Sequence, residues 1–165
     1  MKKLTVLSVA LALATTAGTA EAQRFGAQVG YGTEIESVAL GARVEFDLTN
    51  KFSQRAPFSN MMFVTAFDYY LDCDGCSFWE LTPALAVPFT LQGSNMRPYF
   101  GAGLSFARIS VDAIDESDTE TGLALLGGLR FPMGTMSAFT EARITLHDAD
   151  QLTLAFGFLF GGPKR

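Results

Sequence analysis

Along Gln151–Phe160 the side chains alternate. Leu152, Leu154, Phe156, Phe158 and Phe160 fall on one side, and Thr153, Ala155, Gly157 and Leu159 on the other. A period of two is that of a β-strand. The same alternation recurs along the chain and predicts eight strands, at 24–33, 37–48, 62–72, 77–89, 97–110, 121–132, 135–147 and 151–161. Most of the breaks carry turn chemistry: Asp72–Ser77, Leu91–Asn95, Pro132–Thr135 and His147–Asp150 are rich in Gly, Asp, Asn and Ser. No useful helical periodicity and no long repeat interrupts them. This spacing predicts an all-β, antiparallel up-and-down meander.

The two faces of these strands differ in kind. One carries Phe25, Val29, Tyr31, Leu40, Phe46, Phe67, Trp79, Leu85, Phe100, Leu104, Leu125 and Ile144. The other carries Gly, Ala, Ser and Thr with a few charges. A soluble barrel would turn the second face to water, and such surfaces are rich in Lys and Glu. Here no strand contains a lysine; outside the first few residues only Lys51 and Lys164 occur, in a connection and in the tail. Small residues mixed with sparse charges suit the interior of an eight-stranded barrel, where side chains fill the available room. An apolar exterior, a polar interior and tilted strands of about ten residues are the pattern of a transmembrane β-barrel. Pro83 lies inside the fourth strand, where it forfeits a ladder bond, and a bulge would accommodate it.

Met1-Lys2-Lys3, the apolar run Leu4–Ala14 and the small residues ending in Ala20-Glu21-Ala22 form a basic head, an apolar stretch and an A-x-A cleavage pattern. This is a secretory signal peptide over residues 1–22, leaving one domain over 23–165. No Cys follows the cleavage site, which argues against a lipid-anchored form. The chain has a formal net charge of -5, and two of its lysines lie in the leader, so a nucleic-acid partner is excluded. No apolar run after the leader is long enough for a transmembrane helix.

Two further patterns agree with this reading. If the termini share one end, alternate connections sort by charge. The connections near 33–37, 72–77, 111–121 and 147–151 hold Glu34, Glu36, Asp72, Asp74, Asp112, Asp115, Glu116, Asp118, Glu120, Asp148 and Asp150, with no Lys or Arg. The opposite end holds Arg24, Lys51, Arg55, Arg97, Lys164 and Arg165. Outward aromatics form two levels: Phe25, Phe46, Phe63, Phe89, Phe100, Phe131 and Phe160 at the basic end, and Tyr31, Tyr69, Trp79 and Phe106 near the acidic one. Aromatic girdles flanking an aliphatic belt mark the two interfaces of a membrane.

With these features the chain resembles the small outer-membrane β-barrel family, the OmpA-like and OmpX-like eight-stranded proteins of the Gram-negative cell envelope. The resemblance covers residues 23–165. It rests on the leader, the alternation, "RPYFGAGLSF" at 97–106 and the aromatic-rich last strand. It implies residence in the outer membrane, contact with outer-membrane lipid, and insertion by the barrel-assembly machinery. Members usually end on the aromatic residue itself. Here Gly161–Arg165 follows Phe160, and the connection at 49–61 is long for a periplasmic turn.

Cys73 and Cys76 flank Asp74-Gly75, and along an oxidising export route they are expected to form a small-loop disulfide. His147 is the one histidine. Lipid A deacylases are small barrels with a His-x-Ser pair, and here Ala149 stands at the serine's position, so no nucleophile is expected. Arg43, Glu45, Asp47, Asp68, Glu80, Arg130, Glu141 and Arg143 should point into the interior. The expectation is a self-neutralising ion network that occludes the lumen. The acidic loops offer a weak divalent-cation site or a surface for a basic partner, without EF-hand spacing. No catalytic site, metal site or cofactor is expected. The sequence favours a non-enzymatic structural or surface-interaction role. Its rivals are a narrow porin, a lipid-modifying enzyme and a soluble periplasmic ligand-binding barrel.

Overall fold

The computed structural model describes residues 23–49, 60–71, 76–111, 116–146 and 150–161. They form eight strands: β1 Gln23–Gly32, β2 Ser37–Asp47, β3 Met62–Tyr70, β4 Cys76–Pro88, β5 Arg97–Val111, β6 Glu116–Met133, β7 Met136–Leu146 and β8 Gln151–Gly161. Each pairs antiparallel with the next. β1 pairs with β8, from Arg24 opposite Gly161 to Gly32 opposite Thr153, so the sheet closes into a barrel with no free edge at that seam. Residues 1–22, expected to be a signal peptide, and residues 50–59 lie outside the described residues.

Closure satisfies the backbone, and the pleat then decides what faces where. Phe25 and Leu123 are 62% and 59% exposed, whereas Arg43 and Asp68 are completely buried. That inverts the distribution of a soluble protein. It also weighs against a soluble ligand carrier, because soluble monomers rarely expose so continuous a coat of Phe, Leu, Ile and Val. Neighbouring rings on this coat meet in pairs: Phe25–Phe160, Phe46–Phe63 and Phe89–Phe100 at the end where the described chain begins and ends, and Phe67–Trp79 toward the other.

Turn chemistry fixes the hairpin register. β6 and β7 are joined across Gly134-Thr135, with Met133 opposite Met136. Gly134 has φ +68 and Thr135 stays on the negative side, the conformation of a two-residue turn with glycine first.

Two expectations need correction. The bulge that would have accommodated Pro83 is absent. Leu81 pairs with Phe106 and Ala84 with Gly103, the same register on both sides, and only the two intervening β4–β5 pairs are missing. Pro83 still pairs with Thr65 on β3. Its missing N–H points toward β5, so the ladder opens locally and no residue is inserted. Second, the described residues of the stretch 111–121, which are 111 and 116–121, are strand and not loop. β5 and β6 continue as a ribbon to Val111 opposite Glu116, which puts Glu116, Asp118 and Glu120 on a strand.

Candidate functional site

The lumen holds two polar clusters. Toward the end where β1 begins and β8 ends, Arg43 on β2 donates from Nε to Glu45 Oε1 at 3.0 Å and from Nη1 to Glu141 Oε2 at 2.7 Å. Its Nη2 reaches the Tyr99 hydroxyl at 3.2 Å, and Tyr99 donates to Glu141 Oε2 at 2.9 Å. Arg130 on β6 pairs with the second oxygen of Glu45, and Arg24 lies 3.8 Å from that same oxygen. The Arg43 guanidinium also stacks over Phe139, 4.4 Å from the ring centre, a cation–π contact away from water.

Nearer the outer end, Arg143 on β7 pairs with Asp68 on β3 and lies 4.0 Å from Glu80 on β4. Gln28 donates to Asp68 at 2.6 Å and Ser105 to Glu80 at 2.6 Å. Tyr70 sits 3.1 Å from Thr153 and 3.4 Å from Glu80. The clusters touch through Arg143 Nη1 and Glu141 Oε1, at 4.0 Å. Strand pleat places all these groups: positions of one parity on every strand converge on the axis. Met62, Val64, Ala84, Ala86, Tyr99 and Leu126 fill the β3–β6 side of the lumen, so the ions crowd against an apolar wedge.

Seven of the eight residues expected in the lumen network come together in these two clusters. Asp47 does not join them: it lies at the end of β2 and accepts from the Thr49 backbone N–H at 2.8 Å and from the Thr49 hydroxyl, closing the turn. Sequence reasoning overlooked Tyr99, Tyr70 and Phe139. Their signal was parity, since each falls on the inward phase of its strand, but they were passed over because an interior was equated with small and polar residues.

Among the described residues each buried carboxylate faces at least one guanidinium: Glu45 faces Arg24, Arg43 and Arg130, Glu141 faces Arg43, and Asp68 and Glu80 face Arg143. Acids held as ion pairs in this way suit a rigid interior. Among the described residues no three His, Cys, Asp or Glu come together as metal ligands would. Gly128 is part of the packing. A Cβ there would run into the Tyr99 hydroxyl and the Thr140 carbonyl. Gly128→Ala is therefore expected to displace Tyr99 from Glu141 and cost about 1–3 kcal/mol, the usual range for overpacking, measured by denaturant unfolding in lipid vesicles.

At the outer end Glu34, Glu36, Asp118 and Asp150 are exposed. Cys76 opens β4 and is disulfide-bonded. Cys73, Asp72, Asp74, Asp112, Asp115, His147, Asp148 and Ala149 lie outside the described residues.

No family model matches the chain, and no curated protein is similar to it in sequence. Solved structures are similar in fold. The N-terminal β-barrel domain of Pseudomonas aeruginosa OprF superposes with a TM-score of 0.66 at 15% identity, over 85% of this chain and 96% of that one. Ail, the attachment invasion locus protein of Yersinia pestis, solved with the heparin analogue sucrose octasulfate, gives 0.54 at 13% identity, over 84% and 95%. The outer membrane enzyme PagL gives 0.55 at 15% identity, over 83% and 98%. The chain has the eight-stranded fold of the outer-membrane β-barrels, and its apolar coat is that of a protein seated in a bilayer.

Proposed function

We propose that this protein is a non-enzymatic barrel of an outer membrane, exported and inserted by the barrel-assembly machinery, with an occluded lumen and an acidic outer end that engages a partner. The observation that carries this reading is the pairing of every described lumen carboxylate with an arginine. The network uses its charges internally and leaves function to the rim. Glu34, Glu36, Asp118 and Asp150 stand exposed there, and among the described residues of that end Arg108 is the exposed cation. Ail was solved with a polyanion; this rim suits a cationic partner instead.

Planar bilayers containing the purified protein should carry no steady conductance above that of the bare membrane, and stable stepwise openings would make it a narrow porin. Incubation with lipid A should leave the lipid's mass unchanged. A mass shift equal to one acyl chain would make the protein a lipid-modifying enzyme.

A further inference from the structure

The β5–β6 ladder runs as far as Val111 opposite Glu116, whereas the β6–β7 ladder stops at Leu123 opposite Leu146. Among the described residues, the start of β6 is thus bonded on one side only. The direction of its free groups follows from one hydrogen bond. Phe89 N–H donates to the Pro98 carbonyl at 2.8 Å, so even-numbered β5 residues bond β4 and odd-numbered ones bond β6. By the register, even-numbered β6 residues bond β5. Ser117 and Thr119 therefore aim their backbone N–H and C=O groups at the open side. An unpaired strand edge of this kind is a template for another strand.

The edge is guarded. The Thr119 N–H is occupied by the Asp118 side chain, at 2.8 Å. Asp118 and Glu120 share the inward phase of β6 with Arg130, and Ser117 and Thr119 share the outward phase, where Arg108 donates to the Ser117 hydroxyl at 2.9 Å. A strand laid along this edge would set alternate side chains against Asp118 and Glu120. Cations at those positions would draw the Asp118 carboxylate away and release the Thr119 N–H into the new ladder. An anionic strand would be repelled, and so would a second copy presenting the same edge.

We infer that the β6 edge at 116–119 is a β-augmentation site for an extended segment that carries Lys or Arg at alternate positions. This deepens the surface-interaction reading and rests on it. The test uses the full chain in phosphatidylcholine nanodiscs and a fluorescent peptide of alternating lysine and threonine. A second probe is the same peptide N-methylated on the ladder-facing amides. The unmodified peptide should bind, and methylation should weaken it about tenfold, the loss of one or two ladder hydrogen bonds. Asp118→Lys should weaken it at least as much. Thr119→Pro should do the same while leaving the barrel folded, because that N–H takes no part in the β5 ladder. Equal binding of both peptides, unchanged in Asp118→Lys and Thr119→Pro, would overturn the edge site and leave a diffuse acidic surface. Failure of both peptides to bind at any salt concentration would overturn the cationic-partner reading as well. Self-association abolished by Thr119→Pro would assign the edge to a second copy and equally overturn the inference.

Discussion

Arg43→Met will destabilise the barrel by on the order of 3–5 kcal/mol, the cost of breaking a buried ion pair from one side. Arg43 is completely buried and holds Glu45, Glu141 and Tyr99 at once. Without it Glu45 keeps Arg130, but Glu141 keeps only the Tyr99 hydroxyl and a guanidinium 4.0 Å away. A carboxylate left so in a low-dielectric lumen is expensive, which gives the prediction its second half. Glu141→Gln introduced on top of Arg43→Met should recover part of the loss, because the orphaned charge is gone. Unfolding by denaturant in lipid vesicles reads both variants, and Glu34→Ala at the rim should fall within about 0.5 kcal/mol of the parent. An Arg43→Met protein as stable as the parent would mean that the network contributes nothing to the fold.

Leu125→Arg will cost about 2–4 kcal/mol in the same assay, the range for an arginine facing lipid near the midplane of a barrel. Leu125 is 51% exposed and lies on the outward phase of β6, within the aliphatic belt. On a water-facing surface the same substitution would be close to neutral, within about 0.5 kcal/mol. Its effect therefore reads the solvent on the outer face directly. The loss should also fall as the vesicle lipid is thinned, since the midplane then lies nearer the interface.

The strand order and the two faces were legible because a bilayer enforces strict alternation: within the hydrocarbon layer a residue meets either lipid or lumen. β2, predicted at 37–48, runs Ser37–Asp47, and β8 matches its predicted bounds. Legibility ended where the bilayer ends. The stretch Ser117–Glu120 carries polar residues on both faces, so it shows no alternation of apolar with polar and reads as loop, yet β5 templates it as strand. The lumen was half legible. Charges such as Arg43 and Glu80 announce themselves on an otherwise apolar chain, but Tyr99, Phe139 and Leu126 look like exterior residues until parity is counted strictly. Asp47 has inward parity and still escapes the network, because at the end of β2 a backbone N–H in the turn competes successfully for its carboxylate. An extra residue would have accommodated Pro83; the closed barrel instead holds the register from both sides and gives up the local pairs.

The central claim is that the apolar face meets lipid, and the chain carries its own probe. It has one tryptophan, Trp79, on the outward phase of β4 beside Phe67. In vesicles, lipids brominated high on the acyl chain should quench Trp79 fluorescence strongly, lipids brominated near the chain end should quench it less, and aqueous acrylamide should have little effect. That gradient would place the residue in an interfacial aromatic band. Efficient quenching by acrylamide with none from brominated lipid would contradict the account and turn the barrel's outer face to water.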